Sequence, residues 1–469
     1  MDHPHIIQGG MGAGVSDWRL AKAVSQMGCL GVVSGTALDN ILVRRLQIGD
    51  PEGHMRRAMD HFPNQEAVSR ILNKYCIPEG KETNDSFKSV PLYSEHPSPE
   101  LIELTVVANF VEVFLAKENH SGLVGINYLE KIQLPNLPSL YGAMLADVDY
   151  VLMGAGIPKD IPGALDSLSQ HQATSLNIHI ENARRGEEVV FSFDPAPLDV
   201  PDNRPLKRPH FLAIVSSVTL ATALARKSTG KVDGFIIEQP SAGGHNAPPR
   251  GKLQCNEKGE PVYGPKDEVD LNKIRKLELP FWMAGSYASP DKLEDARQQG
   301  AVGIQAGTIF AFCEESGLDG QIKQDFLKQL WEDSVKVVTD PVASPTGFPF
   351  KIVQMESDQA DLTQERNRTC DLGYLRTAYL KPNGILGFRC PSEREDTYVK
   401  KGGTREATYG RKCLCNALLA NIGVPQRRAD GLEPTLLTAG DDIDVIRQFV
   451  PKEKTSYSAQ EVIHYLQGH

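Results

Sequence analysis

The chain has 469 residues, 40% of them apolar and 23% charged, which excludes a largely disordered protein and provides for at least one complete core. Lys plus Arg number 50 against 60 Asp plus Glu, a net charge of −10, so duplex binding through cationic contacts with phosphate is not expected and nucleic acid is not a predicted partner. No window reaches the roughly eighteen uninterrupted apolar residues of a membrane helix, since the nearest, Leu104 to Ala116, carries Asn109 and Glu112. The start, Met1-Asp2-His3-Pro4-His5, lacks the basic region and apolar core of a secretory leader, and a strand pattern begins by Ile6, so a cytoplasmic location is the default expectation. Eight cysteines with no CxxC pair are too sparse for a secreted disulfide framework and fit reduced, mostly buried thiols.

Short apolar runs that end in Gly or Ser recur along the chain with helix-like segments between them: Ile6 to Gln8, Leu30 to Ser34, Leu123 to Asn127, Tyr150 to Met153, Phe211 to Ser216, Gly234 to Glu238, Phe281 to Ala284 and Val302 to Gln305. Their hydrophobicity is continuous rather than alternating, as in Leu212-Ala213-Ile214-Val215, which marks strands buried on both faces. Length alone suggests several units at about 150 residues each, but barrels run longer as one domain. Eight such strands predict an α/β protein, a closed (β/α)8 TIM barrel over residues 1–339, with insertions at about 45–118, 177–197 and 246–279 and a C-terminal accessory region at 340–469. The first insertion reads as amphipathic helix, Val68 to Leu72 and Pro99 to Leu115, around a polar and mobile linker from Glu79 to Ser98. The second reads as a hairpin, Leu176 to Ile180 with Glu188 to Phe193, around Arg184-Arg185-Gly186. Between the last two strands, Ser289 caps a helix that Pro290 starts and Gly300 stops. A capping box, Ser458 with Glu461, opens the final helix.

In a barrel the chemistry sits where strands end, so the residues just after each run are the candidates. The first run leads into Gln8-Gly9-Gly10-Met11-Gly12-Ala13-Gly14, where missing Cβ atoms let a flat ligand or a phosphate approach the backbone. This is no G-x-G-x-x-G fingerprint: from Gly10 and Gly12 the third glycine falls on Val15, and from Gly12 and Gly14 on Asp17. The seventh run leads into Ala284-Gly285-Ser286 and the eighth into Gln305-Ala306-Gly307-Thr308, the pair of small-residue turns from which barrels recurrently build a phosphate cradle. After the sixth come Glu238-Gln239-Pro240-Ser241-Ala242-Gly243-Gly244-His245, placing an imidazole, suited to proton transfer near neutrality, behind two glycines. The third ends in Gly125-Ile126-Asn127, a carboxamide at a buried strand end that a polar ligand edge would satisfy.

Ile6-Ile7-Gln8-Gly9-Gly10-Met11, Gly125-Ile126-Asn127, Gly154-Ala155-Gly156-Ile157-Pro158, Ala242-Gly243-Gly244-His245 and Gln305-Ala306-Gly307-Thr308 stand in the order found in nitronate monooxygenases, formerly 2-nitropropane dioxygenases, which the chain resembles over most of residues 5–353. The related flavin-dependent enoyl-acyl-carrier-protein reductases are similar at Gln8 to Met11 and at Glu314-Glu315-Ser316, while Ser344-Pro345-Thr346-Gly347 leans towards the nitronate branch. The resemblance implies an FMN-dependent oxidoreductase that oxidises alkyl nitronates or nitroalkanes with O2 as co-substrate. It implies that Gly9, Gly10, Met11 and Asn127 lie against the flavin ring, that Glu238, Gly243, Gly285, Ser286, Gln305, Ala306, Gly307 and Thr308 bind FMN, and that His245 is the catalytic base. The chain departs from the family at Glu238, where Gln is frequent, at Gly285-Ser286, where Gly-Gly is usual, and at Asn246-Ala247-Pro248-Pro249-Arg250, which replaces a short exit loop. A carboxylate beside the flavin would repel the anionic reduced ring unless it is protonated or paired.

Cys370, Cys390, Cys413 and Cys415 are numerous enough for a tetrahedral zinc site. A helix read from Gly410 to Ile422, however, turns Cys413 and Cys415 roughly 200° apart, so no metal is predicted. Lys400, Lys401, Arg405, Arg411 and Lys412 read as a solvated face, with an acidic carrier protein or a phosphorylated tail as the other use; a second copy of the chain is the remaining partner option. Three competing functions stay open at this point: an NAD(P)H-dependent flavin reductase of enoyl thioesters, a cofactor-free phosphate-binding isomerase or lyase, and a flavin-binding assembly subunit.

Overall fold

The structure, a computed structural model, describes residues 3–184, 187–201, 204–356, 367–451 and 454–469. Its centre is a closed barrel of eight parallel strands: β1 (Ile6–Gln8), β2 (Leu30–Ser34), β3 (Val124–Leu129), β4 (Tyr150–Gly154), β5 (His210–Val215), β6 (Gly234–Glu238), β7 (Phe281–Ala284) and β8 (Gly303–Ala306). Each strand pairs with the next, and β8 closes on β1 with Ile6 opposite Ile304 and Gln8 opposite Ala306. The eight expected runs are these eight strands, within a few residues at their ends. Ile7, Leu30, Val32, Tyr150, Leu152, Leu212, Ile236 and Trp282 fill the barrel as one dry interior cluster, which is why their strands show no polar alternation. The Trp282 indole donates to the Pro4 carbonyl at 2.7 Å and seals the end of the barrel where strands begin.

The crossover helices follow their sequence signals. Pro290–Gln298 is capped by the Ser289 hydroxyl, which accepts from the Lys292 N–H, and Gly300 after it is left-handed at φ 88°. The insertion between β2 and β3 holds helices Leu38–Gln47, His54–Met59, Gln65–Tyr75 and Pro99–Lys117. The polar residues that interrupt the apolar stretch of the last helix are partnered inside the fold. Glu112 takes the Arg45 guanidinium at 2.8 Å and the Trp18 N–H at 2.9 Å, and Asn109 accepts from the Tyr128 hydroxyl at 2.8 Å. Residues 79–98, expected as a mobile linker, form neither helix nor strand from Glu79 to Ser98, yet they are tied down. Phe87, Val90 and Tyr93 are buried, and the Gln426 carboxamide bonds both the N–H and the C=O of Phe87. The hairpin pairs Thr174–Ile178 with Val189–Phe193, Leu176 opposite Phe191; Arg185 and Gly186 of its expected turn lie outside the described residues.

After the barrel the chain folds back over its mouth. Lys336–Asp340 pairs antiparallel with Phe350–Gln354, and Thr377–Leu380 pairs with Leu386–Arg389 and with Ile180–Glu181 of the second insertion. The loop after β6 is stitched to this region by Lys351 N–H to the Gly244 carbonyl and Asn246 N–H to the Pro349 carbonyl, both 2.9 Å. Further along, Asp441 N–H reaches the Ser241 carbonyl at 3.0 Å, and the buried Tyr457 hydroxyl reaches the Ile309 carbonyl at 2.9 Å. The final helix, Ala459–Leu466, begins with the expected capping box. Among the described residues, no helix is long and apolar enough to cross a membrane.

Candidate functional site

At the C-terminal mouth of the barrel lies a cavity of about 240 Å³. The first-strand loop brings Gly9, Gly10 and Met11 to it, β3 brings Asn127, and β6 with its loop brings Glu238, Gly243 and His245. The turns after β7 and β8 contribute Gly285, Ser286, Gln305, Ala306, Gly307 and Thr308, so the residues expected to hold the cofactor and the expected base all line one space. The geometry of the first loop is set from within the barrel. The Gln8 carboxamide donates to Ser16 Oγ at 2.8 Å and accepts from the Val32 N–H at 3.0 Å, and Ser16 Oγ accepts from the Met11 N–H at 2.9 Å. Gly10 then passes so close to β3 that a Cβ there would stand 2.5 Å from Asn127 Cβ.

The two turns after β7 and β8 carry the polar groups that the protein leaves open. Gly285 and Ser286 both have left-handed backbone, φ 91° and 55°, and among the described residues their N–H groups have no backbone acceptor. At the second position glycine would adopt this conformation without steric cost; serine holds it with strain. Gln305 Oε1 is buried without a partner. The Thr308 hydroxyl is already engaged, accepting from the Gly440 N–H at 2.7 Å, so it anchors the C-terminal segment. Gly243 serves the same segment: a Cβ there would lie 2.8 Å from the Ala439 carbonyl carbon.

Two titratable side chains flank the opening from β6. The Glu238 carboxyl has no hydrogen-bond partner among the described residues, and burial pushes its pKa up to about 7. His245 Nε2 pairs with Ser344 Oγ at 2.7 Å, and the ring packs edge-on against Phe350 at 4.9 Å. Burial first, and the nearby Lys131 cation second, lower the His245 pKa to about 4. The imidazole is therefore neutral near pH 7. The carboxyl that would repel a reduced flavin is half protonated at that pH even before any anion approaches it.

The C-terminal region covers the barrel mouth, and sequence reasoning placed none of its residues at the site. Tyr374, Leu375, Cys415, Leu418 and the stretch Leu437 to Gly440 all line the cavity from the C-terminal region. The helix expected from Gly410 starts only at Leu414, because Gly410 is left-handed at φ 69° and the Arg411 guanidinium is turned away onto the Val342 and Ser344 carbonyls. Cys413 is the non-helical cap residue of that helix, so the helical spacing invoked for Cys413 and Cys415 does not apply. Among the described residues no three His, Cys, Asp or Glu side chains are set to hold a metal ion. The basic residues expected to form one solvated face are not all exposed. Lys401 pairs with Glu393 at 2.6 Å, Arg405 pairs with Glu395 at 2.9 Å, and Lys412 is buried. The rebuilt exit loop folds across the ends of β5 and β6, with Arg250 donating to the Ser216 carbonyl at 3.0 Å and Asn246 to the Ala242 carbonyl at 2.9 Å.

Fold and site define an α/β barrel with an amide-lined cavity at its mouth and a neutral imidazole over it. The chain is similar to a probable nitronate monooxygenase of Staphylococcus haemolyticus, 29% identical over 136 residues, which is 29% of this chain and 36% of that relative. The match thus spans little more than a third of the curated relative. No family model matches the chain. Among solved structures, FabK of Thermotoga maritima shares 16% identity and a TM-score of 0.48, covering 100% of this chain and 92% of its own. A nitroalkane oxidase of Streptomyces ansochromogenes shares 14% identity at a TM-score of 0.45, covering 99% and 95%. The enoyl reductase domain of MlnA from Bacillus amyloliquefaciens shares 10% at 0.44, covering 99% and 94%. Those named by activity are a monooxygenase, an oxidase and a reductase.

Proposed function

We propose that the chain is an FMN-dependent oxidoreductase that oxidises alkyl nitronates or nitroalkanes with molecular oxygen. The observation that carries this reading is the juxtaposition, in one cavity, of the neutral His245 imidazole with the open amides of Gly285 and Ser286 and the unpartnered Gln305 Oε1. These residues fit a flavin mononucleotide: the amides suit its phosphate, the Gly9-Gly10 turn admits a flat ring without a Cβ in the way, and Gln305 Oε1 lacks a donor that a ring N–H would supply. Bound there, FMN supplies an electron acceptor that the side chains alone lack. His245 then takes the α-proton of a neutral nitroalkane, a role open to an imidazole whose Nε2 is occupied by Ser344 and whose Nδ1 has no hydrogen-bond partner among the described residues. Glu238, its pKa pushed up to about 7 by burial, carries less than a full negative charge next to the anion so formed.

The test is an absorption spectrum of the purified protein, before and after a nitronate is added without oxygen. A bound-flavin spectrum that bleaches supports the reading. Colourless protein that takes up no FMN refutes it. His245→Ala is expected to keep its flavin while turnover of the neutral nitroalkane falls by about two orders of magnitude or more.

A second reading draws on one further feature. An outer cavity of about 600 Å³, lined by Lys131, Arg376, Arg389 and Arg411 and by Asp39, Glu130 and Glu181, shares Ile132, Tyr374 and Leu375 with the first and offers room for a substrate much larger than a nitronate. That favours reduction of an enoyl thioester, and bleaching of the flavin by NADH or NADPH rather than by nitronate would select it.

A further inference from the structure

Ser344-Pro345-Thr346-Gly347 has no part in the cofactor cradle, yet it meets the one imidazole of the site. His245 Nε2 and Ser344 Oγ are 2.7 Å apart, and Ser344 Oγ and Thr346 Oγ1 are 2.8 Å apart. Ser344 is wholly buried, whereas Thr346 is only half-buried and lines the outer cavity of about 600 Å³. A continuous chain of exchangeable protons therefore leads from the candidate site, through a dry stretch, to a solvent-bearing space. We propose that Ser344 and Thr346 form a proton relay that carries to the outer cavity the proton His245 withdraws from its substrate.

This rests on the reading of His245 as the base. The need for a relay follows from the surroundings of the ring. Phe350 and Phe348 pack on it edge-first, and the facing charge is Lys131, whose ammonium lies 4.9 Å from the Phe348 ring centroid. An imidazolium in that setting is strongly disfavoured, with the imidazole pKa lowered to about 4. A base that cannot hold its proton as a cation must lose one from its far nitrogen as it gains one at the near nitrogen.

The balance is simple. The α C–H bond breaks and its electron pair stays with the substrate as the carbanion or nitronate. A bond from that proton to Nδ1 forms as the Nε2–H proton passes to Ser344 Oγ. The Ser344 hydroxyl proton passes to Thr346 Oγ1, and the Thr346 hydroxyl proton passes to water. One proton has moved from carbon to solvent, and nothing has been oxidised. When the site empties, Nδ1 returns its proton to water and Nε2 regains one along the same chain. The relay is held in register by the Thr346 N–H on Ser344 Oγ at 3.2 Å and by the Arg411 guanidinium on the Ser344 carbonyl.

The step can be followed without flavin turnover. Nitroethane in D2O, under nitrogen and with the full chain, loses its α-proton signal by NMR as the base exchanges it. Wild type should exchange it faster than His245→Ala, and Ser344→Ala should slow exchange about tenfold or more. Thr346→Val, at a half-buried position where a methyl for a hydroxyl leaves the fold intact, should also slow it, and Thr346→Ser should restore it. In aerobic turnover, Ser344→Ala should lose far more on neutral nitroethane than on preformed nitronate, which needs no deprotonation. Exchange at the wild-type rate in Ser344→Ala and Thr346→Val, or equal losses on both substrates, overturns the relay and leaves His245 as base. Wild-type exchange no faster than that of His245→Ala removes the base itself, and the relay with it.

Discussion

Replacing Glu238 with Gln keeps the side chain's shape and removes its titration, so it isolates the energetic consequence of burying a carboxyl at the end of β6. Its pKa rises from 4.5 to about 7 in the fold, with burial as the cause. Below 4.5 folded and unfolded chains both carry the protonated group, and it costs nothing. Between 4.5 and about 7 the unfolded chain releases a proton that the folded chain keeps, so stability falls as pH rises. Above about 7 the folded carboxylate is ionised in its poor surroundings and the whole penalty is present. At about 1.4 kcal/mol per pKa unit the ceiling is about 3 kcal/mol; the carboxyl borders the cavity, and solvent there reduces the figure to about 2 kcal/mol. Unfolding of wild type and Glu238→Gln, followed by thermal melts without added flavin, should give closely similar midpoints near pH 4.5 and a higher midpoint for the variant near pH 8, by a few degrees. Midpoints that run parallel across that range would show that Glu238 titrates normally, and the picture of a site with reduced negative charge would lose its main support.

Three further substitutions probe the cradle and its supports. Ser286→Gly relieves the left-handed strain at φ 55° and should raise stability by about 1 kcal/mol in a urea titration; an unchanged or lower midpoint would show that the serine side chain contributes more than its backbone costs. Gly10→Ala places a methyl 2.5 Å from Asn127 Cβ, so the loop must shift, and flavin retained through gel filtration should fall sharply. Glu112→Ala leaves Arg45 buried with only the 3.4 Å contact to Asp17 and leaves the Trp18 N–H without its acceptor; a loss of about 3 kcal/mol is expected, read as a lower melting midpoint.

The barrel was legible because each strand is buried on both faces, so Phe235-Ile236-Ile237 and its counterparts stand out as unbroken apolar runs bounded by glycine. The cavity was legible for a related reason: only strand ends face it from below, and the strand ends were known once the strands were. Its roof residues were not, since Tyr374 and Leu437 arrive from segments with no helical or strand period, held by contacts to distant loops such as Gly440 N–H on Thr308, and the helix that carries Cys415 shows no sign in its own pattern of what it covers. The helix start misplaced at Gly410 shows the local limit: the helical pattern is real, but a left-handed glycine and the pull of two distant carbonyls on Arg411 delay it to Leu414. Ser344 was visible only as part of a motif; its pairing with His245 joins residues a hundred positions apart, a separation no local pattern encodes.

The electrostatics of β6 tie these observations together. Glu238 and His245 lie on one strand and its loop, and burial acts on them in opposite directions. The acid is raised to about 7 and the base is lowered to about 4, so near neutrality the base is neutral and the acid only partly ionised. Had the two met as an ion pair, each would have held the other's charge, Glu238 well below its ordinary value and His245 above it. The site's facing cation is then Lys131 at the rim, and a substrate that becomes an anion on losing a proton gains attraction from it against only the reduced repulsion of a partly ionised carboxyl below. It follows that Lys131→Met should raise the His245 pKa modestly, because the second cause of its depression is removed, and should weaken binding of an anionic nitronate more than of a neutral nitroalkane. A ring titration by NMR, together with the two binding constants, checks both halves; a His245 pKa unmoved by the substitution would leave burial as its sole cause.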